Sequence, residues 1–519
     1  MTMKATTAVA SEAALELRGI EKRFGAVHAN RDVNLKIPAG SISGIIGENG
    51  AGKSTAMNIV YGLYQPDAGQ ILVDGRPVQH ANPRAAIANR IGMVHQHFML
   101  VDRFTVLENV VLGMEQGALL KPGLDAARAA LLALERDYGL KVNPDAIAGD
   151  LPVGQRQRVE ILKVLIRGAR ILILDEPTAV LTPQETEQLF RVLAALKAKG
   201  CTVILITHKL REIMAATDLV FVMRGGEVVA ERRTADTTRE ELAELMVGRK
   251  VRLDLDKIPA KPGAAALSAE HLSLTGADGV TLLDDINFAL HAGEIVGIAG
   301  VSGNGQSELL EVLSGIRPPG AGLVTLAWRR ITPQHPLGAG AMRKLGLSHV
   351  PEDRHRFAMC GPFSAAETSV LGRVRDRPFA RSGLIDYGAI ADHCMKLMDR
   401  YDVRPRRPER VAMHFSGGNQ QKLVIGRETA AIPKVLLIGQ PTRGVDIGAI
   451  EFIHRQLLKL RDAGCAILLV SAELEEVMAL SDRILVMSSG RIVGEVAAAE
   501  ADEKSLGLLM ANVRQGEAA

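Results

Sequence analysis

Short apolar runs recur along the chain, and each is followed by residues that suit a loop or a helix. Residues 41–46 form one such run, and residues 55–60 follow it with the composition of a helix. Further β-branched and aliphatic runs occur at residues 171–174 and 202–207. Buried strands that alternate with helical segments predict an α/β fold, with helices on the faces of a mostly parallel sheet.

The chain contains this pattern twice. Asn34 begins the stretch NLKIPAG, and the related stretch NFALHAG begins 253 residues later at Asn287. The stretch ILILDEPT at Ile171 is matched by VLLIGQPT at Val435, which lies 264 residues later. The second copy therefore carries about eleven extra residues, and the repeat predicts two tandem domains of the same plan.

The predicted domains cover residues 1–250 and 267–519. Residues 251–266 are the predicted linker, because they contain Pro259, Pro262 and Gly263 and show no clear period. Alanine-rich stretches such as residues 125–138 predict a helical subdomain inserted in each half.

Composition narrows the class of protein. The chain has 519 residues, which is too many for one ordinary domain. Its formal net charge of +3 does not require nucleic acid or an acidic membrane surface as a partner. The four cysteines never form a C-x-x-C pair, so neither a zinc site nor a disulfide framework is expected and a reducing cytosol fits. We also find no signal peptide and no apolar run of about 20 residues that could cross a bilayer, so we expect a soluble protein.

A phosphate-binding loop separates the first buried strand from the helix after it. The pattern is G-x-x-x-x-G-K-[ST], and the predicted nucleotide-binding residues are Gly47, Glu48, Asn49, Gly50, Ala51, Gly52, Lys53, Ser54 and Thr55. Glycines let backbone N–H groups turn toward an anion, and the helix N-terminus adds partial positive charge. Lys53 is predicted to reach the β- and γ-phosphates and Ser54 to bind Mg²⁺, so the sequence predicts a nucleoside triphosphate site rather than a simple glycine-rich turn.

Polar residues follow the later strands. Asp175 and Glu176 end the strand at 171–174, so we predict that Asp175 holds Mg²⁺ and that Glu176 orients or deprotonates the attacking water. His208 follows the next strand and is a candidate for contact with the γ-phosphate. Gln96 is a candidate to sense the same phosphate and the metal, and Phe24 to stack on the base. Each of these residues would be unremarkable by itself, and the assignment depends on their combination.

In the second half, Ser416, Gly417 and Gly418 begin a helical run, with Gln420 close behind, and form a second anion-binding helix N-terminus. The motifs follow the order that is typical of ABC-type ATPases: a phosphate loop, a loop with a glutamine, a serine-glycine signature, an Asp-Glu pair and a later histidine. The chain resembles that family in both halves, and looks most like the tandem ATP-binding subunits of bacterial sugar and nucleoside importers. The stretches VHQHFMLV at Val94 and VPEDRHR at Val350 are closest to nucleoside-uptake members.

The resemblance implies ATP and Mg²⁺ as cofactors, and an ATPase that energises import as a peripheral subunit on the cytoplasmic face of the cell membrane. It implies two transmembrane permease subunits, which the unequal halves allow to be non-identical, and an extracytoplasmic substrate-binding protein. A monosaccharide importer of the ribose or galactose kind is the alternative of the same class. A soluble ABC ATPase acting on DNA or ribosomes is disfavoured, because the chain lacks cysteine clusters and a long charged linker, so we expect no nucleic-acid partner.

The resemblance also implies that the two halves face head to tail, so that each ATP lies between the phosphate loop of one half and the signature of the other. The second half has different residues at the key positions: Gln306 for Lys53, Gly439 for Asp175, Gln440 for Glu176, Ala472 for His208, Glu352 in the role of Gln96, and Ala277 near the place of Phe24. In the first half, Pro152 replaces the signature serine. One composite site therefore keeps every residue and the other loses nearly all, so we predict hydrolysis mainly at the first.

Overall fold

The chain divides into two compact units, Met1–Val251 and Arg252–Ala519. The computed structural model describes residues 13–25, 27–96, 98–114, 120–178, 181, 183–250, 257–301, 303–445 and 447–510. Each unit contains a four-stranded sheet and a six-stranded sheet.

The strands of unit 1 are β1 (Ala13–Phe24), β2 (Val27–Pro38), β3 (Ile42–Ile46), β4 (Ala68–Val73), β5 (Arg76–Val78), β6 (Ile91–Val94), β7 (Ile171–Asp175), β8 (Thr202–Ile206), β9 (Leu219–Arg224) and β10 (Glu227–Arg233). Its helices are α1 (Lys53–Val60), α2 (Pro83–Ala88), α3 (Val106–Val111), α4 (Leu120–Tyr138), α5 (Val153–Ile166), α6 (Pro183–Ala198), α7 (Leu210–Ala216) and α8 (Arg239–Val247).

The six-stranded sheet of unit 1 has the order β10-β9-β3-β8-β7-β6. Strand β3 pairs in parallel with β8 and β9, and β7 pairs in parallel with β6 and β8, whereas β10 is antiparallel to β9. Every residue of β3, β7 and β8 is buried, which is why these strands read as continuous apolar runs. The predicted α/β class is confirmed, and the carboxyl ends of β3, β7 and β8 meet at one edge of the sheet.

The predicted helix at residues 125–138 lies within α4. This helix buries Ala127 and Leu131 and exposes Leu132, so one face packs against the protein and the other meets solvent. It packs against α3, α5 and α6.

The strands of unit 2 are β11 (Ala265–Thr275), β12 (Thr281–His291), β13 (Ile295–Ala299), β14 (Ala321–Leu326), β15 (Arg329–Ile331), β16 (Leu347–Val350), β17 (Ala380–Arg381), β18 (Leu384–Ile385), β19 (Val435–Gly439), β20 (Ala466–Val470), β21 (Arg483–Ser488) and β22 (Arg491–Ala497). Its helices are α9 (Gln306–Leu313), α10 (Ala339–Lys344), α11 (Arg354–Phe357), α12 (Ala365–Ser369), α13 (Tyr387–Arg400), α14 (Gly417–Thr429), α15 (Ile447–Asp462), α16 (Leu474–Leu480) and α17 (Glu503–Met510).

Unit 2 repeats the plan of unit 1. Its six-stranded sheet has the order β16-β19-β20-β13-β21-β22, which matches that of unit 1 strand for strand. Most of the extra residues lie between Glu352 and Ser416, the part of the chain that contains the small β17–β18 hairpin. Strand β11 begins at Ala265 and so includes the last two residues of the predicted linker, whereas residues 251–256 lie outside the described residues.

No helix in the described ranges of either unit has the length and apolar character that a membrane span requires.

Candidate functional site

The phosphate loop of unit 1 lies between β3 and α1. Gly52 is the N-cap residue of α1 and has a φ of 96°, a left-handed conformation that favours glycine. A Cβ atom on Gly52 would overlap the carbonyl oxygen of Ala29, and one on Gly47 would overlap that of Met223. Close approach of the backbone to neighbouring strands therefore requires glycine at both positions, which holds the loop tightly over the helix N-terminus.

Lys53 is the first residue of α1, and its side chain folds back over the loop. Its Nζ atom donates hydrogen bonds to the carbonyl oxygens of Gly47 at 2.7 Å and Glu48 at 3.1 Å. Burial lowers the pKa of the Lys53 ammonium, and the nearby carboxylates of Glu176 and Asp175 oppose that shift. The ammonium is thus held where phosphate oxygens can replace the two carbonyls as acceptors.

Ser54 and Asp175 join the loop to the end of β7. The Ser54 hydroxyl donates to Oδ1 of Asp175 at 3.2 Å. Burial raises the pKa of the Asp175 carboxyl, and the bond from Ser54 opposes the shift. A hydroxyl and a carboxylate are oxygen ligands of the kind Mg²⁺ prefers, so this pair fits the predicted metal. The described residues contain no group of three or more His, Cys, Asp or Glu side chains that could hold a metal.

Glu176 and His208 meet at the ends of β7 and β8. The Nδ1 atom of His208 lies 2.9 Å from Oε1 of Glu176. Glu176 has a φ of 50°, rare for a residue with a side chain, and its backbone N–H donates to the carbonyl oxygen of Ile206 at 2.9 Å. The structure therefore brings together the two residues that the sequence predicts to act on water and on the γ-phosphate.

Gln96 and Phe24 lie at the surface of unit 1. Gln96 is exposed two residues beyond β6, the strand beside β7. Phe24 ends β1, and its ring meets that of Tyr64 edge to face at 5.2 Å between centroids. Tyr64 was not predicted from the sequence, although an aromatic residue soon after α1 is a visible signal. The two exposed rings together form an aromatic surface.

The signature region of unit 1 lacks a hydroxyl. Pro152 is the N-cap residue of α5 and makes no side-chain hydrogen bond to the helix. Proline fits there because the first turn of a helix needs no backbone N–H donor at that point. The fold of α5 is thus preserved while a polar group is lost.

The signature of unit 2 is more polar. Ser416 is the exposed N-cap residue of α14, and its Oγ atom accepts a hydrogen bond from Nδ2 of Asn419 at 2.8 Å, so its own hydrogen is available to donate. Gln420 is buried: its amide donates to the carbonyl oxygens of Met413 and Phe415. Its Oε1 lies within hydrogen-bonding distance of Arg354 and His355.

The phosphate loop of unit 2 is closed by Gln306, the counterpart of Lys53. Its amide nitrogen donates to the carbonyl oxygen of Val301 at 3.0 Å, and its amide oxygen accepts from the N–H of Asn304 at 3.1 Å. The buried glutamine therefore folds over the loop as the lysine does, but it brings no positive charge.

Glu352 occupies the space where an aspartate side chain would lie at position 439. The Ser307 hydroxyl donates to Oε2 of Glu352 at 2.6 Å, as Ser54 donates to Asp175 in unit 1. A Cβ atom on Gly439 would overlap Cγ of Glu352. The sequence predicts that Glu352 takes the role of Gln96, and Glu352 lies two residues beyond β16 as Gln96 lies two residues beyond β6. Its contact with Ser307 is, in addition, like the contact that Asp175 makes with Ser54.

Two segments of the chain, residues 30–179 and 283–443, match the ABC transporter family. The chain belongs to the ABC transporter family. The two matches confirm the repeat, and each contains one of the two phosphate loops.

Relatives in this ABC transporter family match almost the full chain. The guanosine import ATP-binding protein NupO of Bacillus subtilis is 45% identical over 507 residues, which are 98% of this chain and 99% of the relative. The nucleoside import ATP-binding protein NupA of Lactococcus lactis is 43% identical over 97% of this chain and 99% of its own length. The ribose import ATP-binding protein RbsA 1 of Rubrobacter xylanophilus is 40% identical over 96% of this chain and 98% of its own.

Proposed function

We propose that the chain is the energy-coupling ATPase of a nucleoside importer and that it hydrolyses ATP mainly at one site. The observation that carries this proposal is the Glu176–His208 pair, which lies at the same sheet edge as Lys53 and the Ser54–Asp175 contact. The counterparts of Lys53, Glu176 and His208 in unit 2 are uncharged.

Each residue of unit 1 has a defined task in this proposal. Lys53 exchanges the loop carbonyls for phosphate oxygens and neutralises their charge. Ser54 and Asp175 would hold Mg²⁺, which supplies further neutralisation of the phosphates when it is bound. Glu176 orients or deprotonates the attacking water, and His208 fixes that carboxylate through Nδ1, which leaves Nε2 to face the γ-phosphate.

The signature of unit 2 completes this site in the proposed head-to-tail arrangement. Ser416 is exposed and has a hydroxyl hydrogen to donate, and the first backbone N–H groups of α14 follow it. These donors suit the γ-phosphate of an ATP held by unit 1. The other composite site would combine Pro152 with the uncharged residues of unit 2, and it would hydrolyse little or no ATP.

The proposed partners are two permease subunits and an extracytoplasmic substrate-binding protein, and the proposed location is the cytoplasmic face of the membrane. The relatives support this, since they are named import ATP-binding proteins. Guanosine and nucleoside import relatives at 45% and 43% identity favour a nucleoside substrate. A ribose import relative at 40% identity makes a monosaccharide the alternative substrate.

A deletion strain complemented with variants of the full chain tests both activity and substrate. We expect Lys53→Ala and Glu176→Gln to lower the ATPase rate of the assembled complex at least about 100-fold, the scale of a lost charge-stabilising or acid–base group. Glu176→Gln should still bind ATP, since Lys53 and the loop are unchanged. Uptake of radiolabelled nucleosides should fall in parallel.

The matched control is Gln306→Ala, at the counterpart of Lys53 in unit 2, which should retain most of the activity. Near-normal turnover by Glu176→Gln would remove the site assignment. Loss of labelled ribose or galactose uptake with unchanged nucleoside uptake would replace the nucleoside by a monosaccharide.

A further inference from the structure

A buried carboxylate lies behind the Glu176–His208 pair. Glu212 is on α7, four residues after His208, and only 6% of its surface is exposed. Burying a carboxylate is costly unless hydrogen bonds compensate it, so its partners indicate why it is there.

Both oxygens of the Glu212 carboxylate accept hydrogen bonds from buried threonines. The hydroxyl of Thr178 donates to Oε1, and that of Thr207 donates to Oε2 at 3.0 Å. The Thr207 hydroxyl also accepts the backbone N–H of Lys209 at 3.0 Å, which directs its own hydrogen toward Glu212. We call this set of three side chains, Glu212, Thr178 and Thr207, the carboxylate clasp.

The clasp joins the turns that carry the two reactive side chains. Thr178 is two residues after Glu176, and Thr207 directly precedes His208. Thr207 also contacts strand β3, which leads into the phosphate loop, because its N–H donates to the carbonyl oxygen of Ile45. The Glu212 carboxylate thus connects the turn after β7 to the turn after β8 through hydrogen bonds.

Unit 2 has the same carboxylate at Glu476 but uses it differently. Oε1 of Glu476 lies 2.8 Å from Nε2 of His454 on α15, and Oε2 has no hydrogen-bond partner in the described part of the chain.

The counterpart of His454 in unit 1 is Phe190, which cannot donate a hydrogen bond. Ser471, the counterpart of Thr207, accepts from the N–H of Glu473. The clasp is therefore formed in the unit that holds the Glu176–His208 pair and is replaced by a contact to α15 in the other.

We propose that Glu212 is a positioning residue for ATP hydrolysis, whose clasp fixes the distance between the side chains of Glu176 and His208. This inference rests on the proposed roles of those two residues. Glu212 itself contacts neither water nor phosphate in this mechanism. Its effect is to keep Glu176 at 2.9 Å from the imidazole, in the turn where its backbone adopts a φ of 50°.

The test uses the full chain assembled with its permease subunits. We expect Glu212→Gln to lower kcat for ATP about 10- to 100-fold, because an amide offers one accepting oxygen where two hydroxyls donate, and misplacement by about 1 Å can cost 100-fold. The KM for ATP and the ATP affinity should stay within about twofold, since Lys53 and the loop do not contact Glu212. Thr178→Val should lower kcat in the same way, whereas Thr178→Ser, which keeps the hydroxyl, should restore it.

The matched control is Glu476→Gln in unit 2, which should leave kcat within about twofold of the wild type because its partner is His454. The proposal would be overturned if both Glu212→Gln and Thr178→Val had the kcat of the wild type. Here kcat is expressed per molecule that binds ATP, so that a lower Tm of the variants does not affect the comparison. If Glu212→Gln does not fold, the Thr178→Val and Thr178→Ser pair decides by itself. Turnover retained by Glu176→Gln would instead remove the proposed site, which separates the two failures.

Discussion

His349 on β16 is intermediate in exposure as a residue, but its ring nitrogen Nε2 is buried. Its Nε2 makes no hydrogen bond within the described residues. Burial lowers the pKa of the imidazole from 6.5 to about 4, and Glu428 opposes the shift only in part. Between those two pH values the unfolded chain binds a proton that the folded chain does not. The free energy of unfolding of unit 2 therefore falls as the pH falls through this window, by up to about 1.4 kcal/mol per pH unit.

We expect His349→Met to remove this acid sensitivity. Methionine is the counterpart in unit 1, at Met93, and it cannot take up a proton. Between pH 7 and pH 5, the free energy of unfolding measured with urea should fall by about 2 kcal/mol less in the variant than in the wild type. The control is His335→Met, at an exposed histidine, which should keep the full loss. An unchanged pH dependence in His349→Met would contradict the assignment.

The site residues differ in how far the sequence could predict them. Motifs that follow short strands predict five of them, and the structure brings these five together: Lys53, Ser54, Asp175, Glu176 and His208.

The exchange between Gly439 and Glu352 could not be predicted in this way. It depends on the space that the Glu352 side chain fills beside Gly439, which is 87 residues away in the sequence. The carboxylate clasp of Glu212 could not be predicted from the sequence for a similar reason, since two threonines and a glutamate on a helix form no recognisable motif.

At the level of elements, helices α5 and α14 begin alike and differ in their first polar group. Ser416 precedes α14 with a hydroxyl, and Pro152 precedes α5 without one. We expect Ser416→Phe to stop ATP turnover by the complex, because a bulky ring would block closure on the γ-phosphate and remove a donor. Pro152→Ser should change the rate little, since in the proposed head-to-tail arrangement its site would still lack the counterparts of Lys53, Glu176 and His208.

The measurement is the steady-state ATPase rate of each complex. Normal turnover by Ser416→Phe, or a several-fold gain from Pro152→Ser, would contradict the assignment of the two signatures.

Apolar patterning was sufficient to predict three central strands of the six-stranded sheet of unit 1, and it predicted less elsewhere. The runs at 41–46, 171–174 and 202–207 became β3, β7 and β8 because parallel strands in the middle of a sheet are covered on both faces. The hairpin β17–β18 has two residues in each strand, and its Leu384 is 76% exposed. Such a short exposed pair leaves no periodic signal in the sequence.

At the level of the whole molecule, the unequal units predict one hydrolysed ATP per closure. Gln440→Glu alone should not create a second hydrolysing site, because Gln306 brings no charge to the phosphates and Ala472 has no imidazole. The variant should fold, since a glutamate oxygen can also accept the N–H of Ala472 that Gln440 accepts at 3.2 Å. Rapid-quench counting of ATP hydrolysed per complex in the first turnover measures this directly. Two ATP in the wild type, or a large gain in the variant, would show two working sites.

The overlap between Glu352 and a side chain at position 439 also constrains the mutational routes open to this protein. An aspartate introduced at Gly439 would meet Cγ of Glu352, so the change would be destabilising until Glu352 had been replaced by a smaller residue. Replacing Glu352 first would leave Ser307 without its acceptor and bring no catalytic gain. Neither single change therefore brings unit 2 closer to a second hydrolysing half. This epistasis acts as a ratchet, because the residues at positions 352 and 439 have to change together.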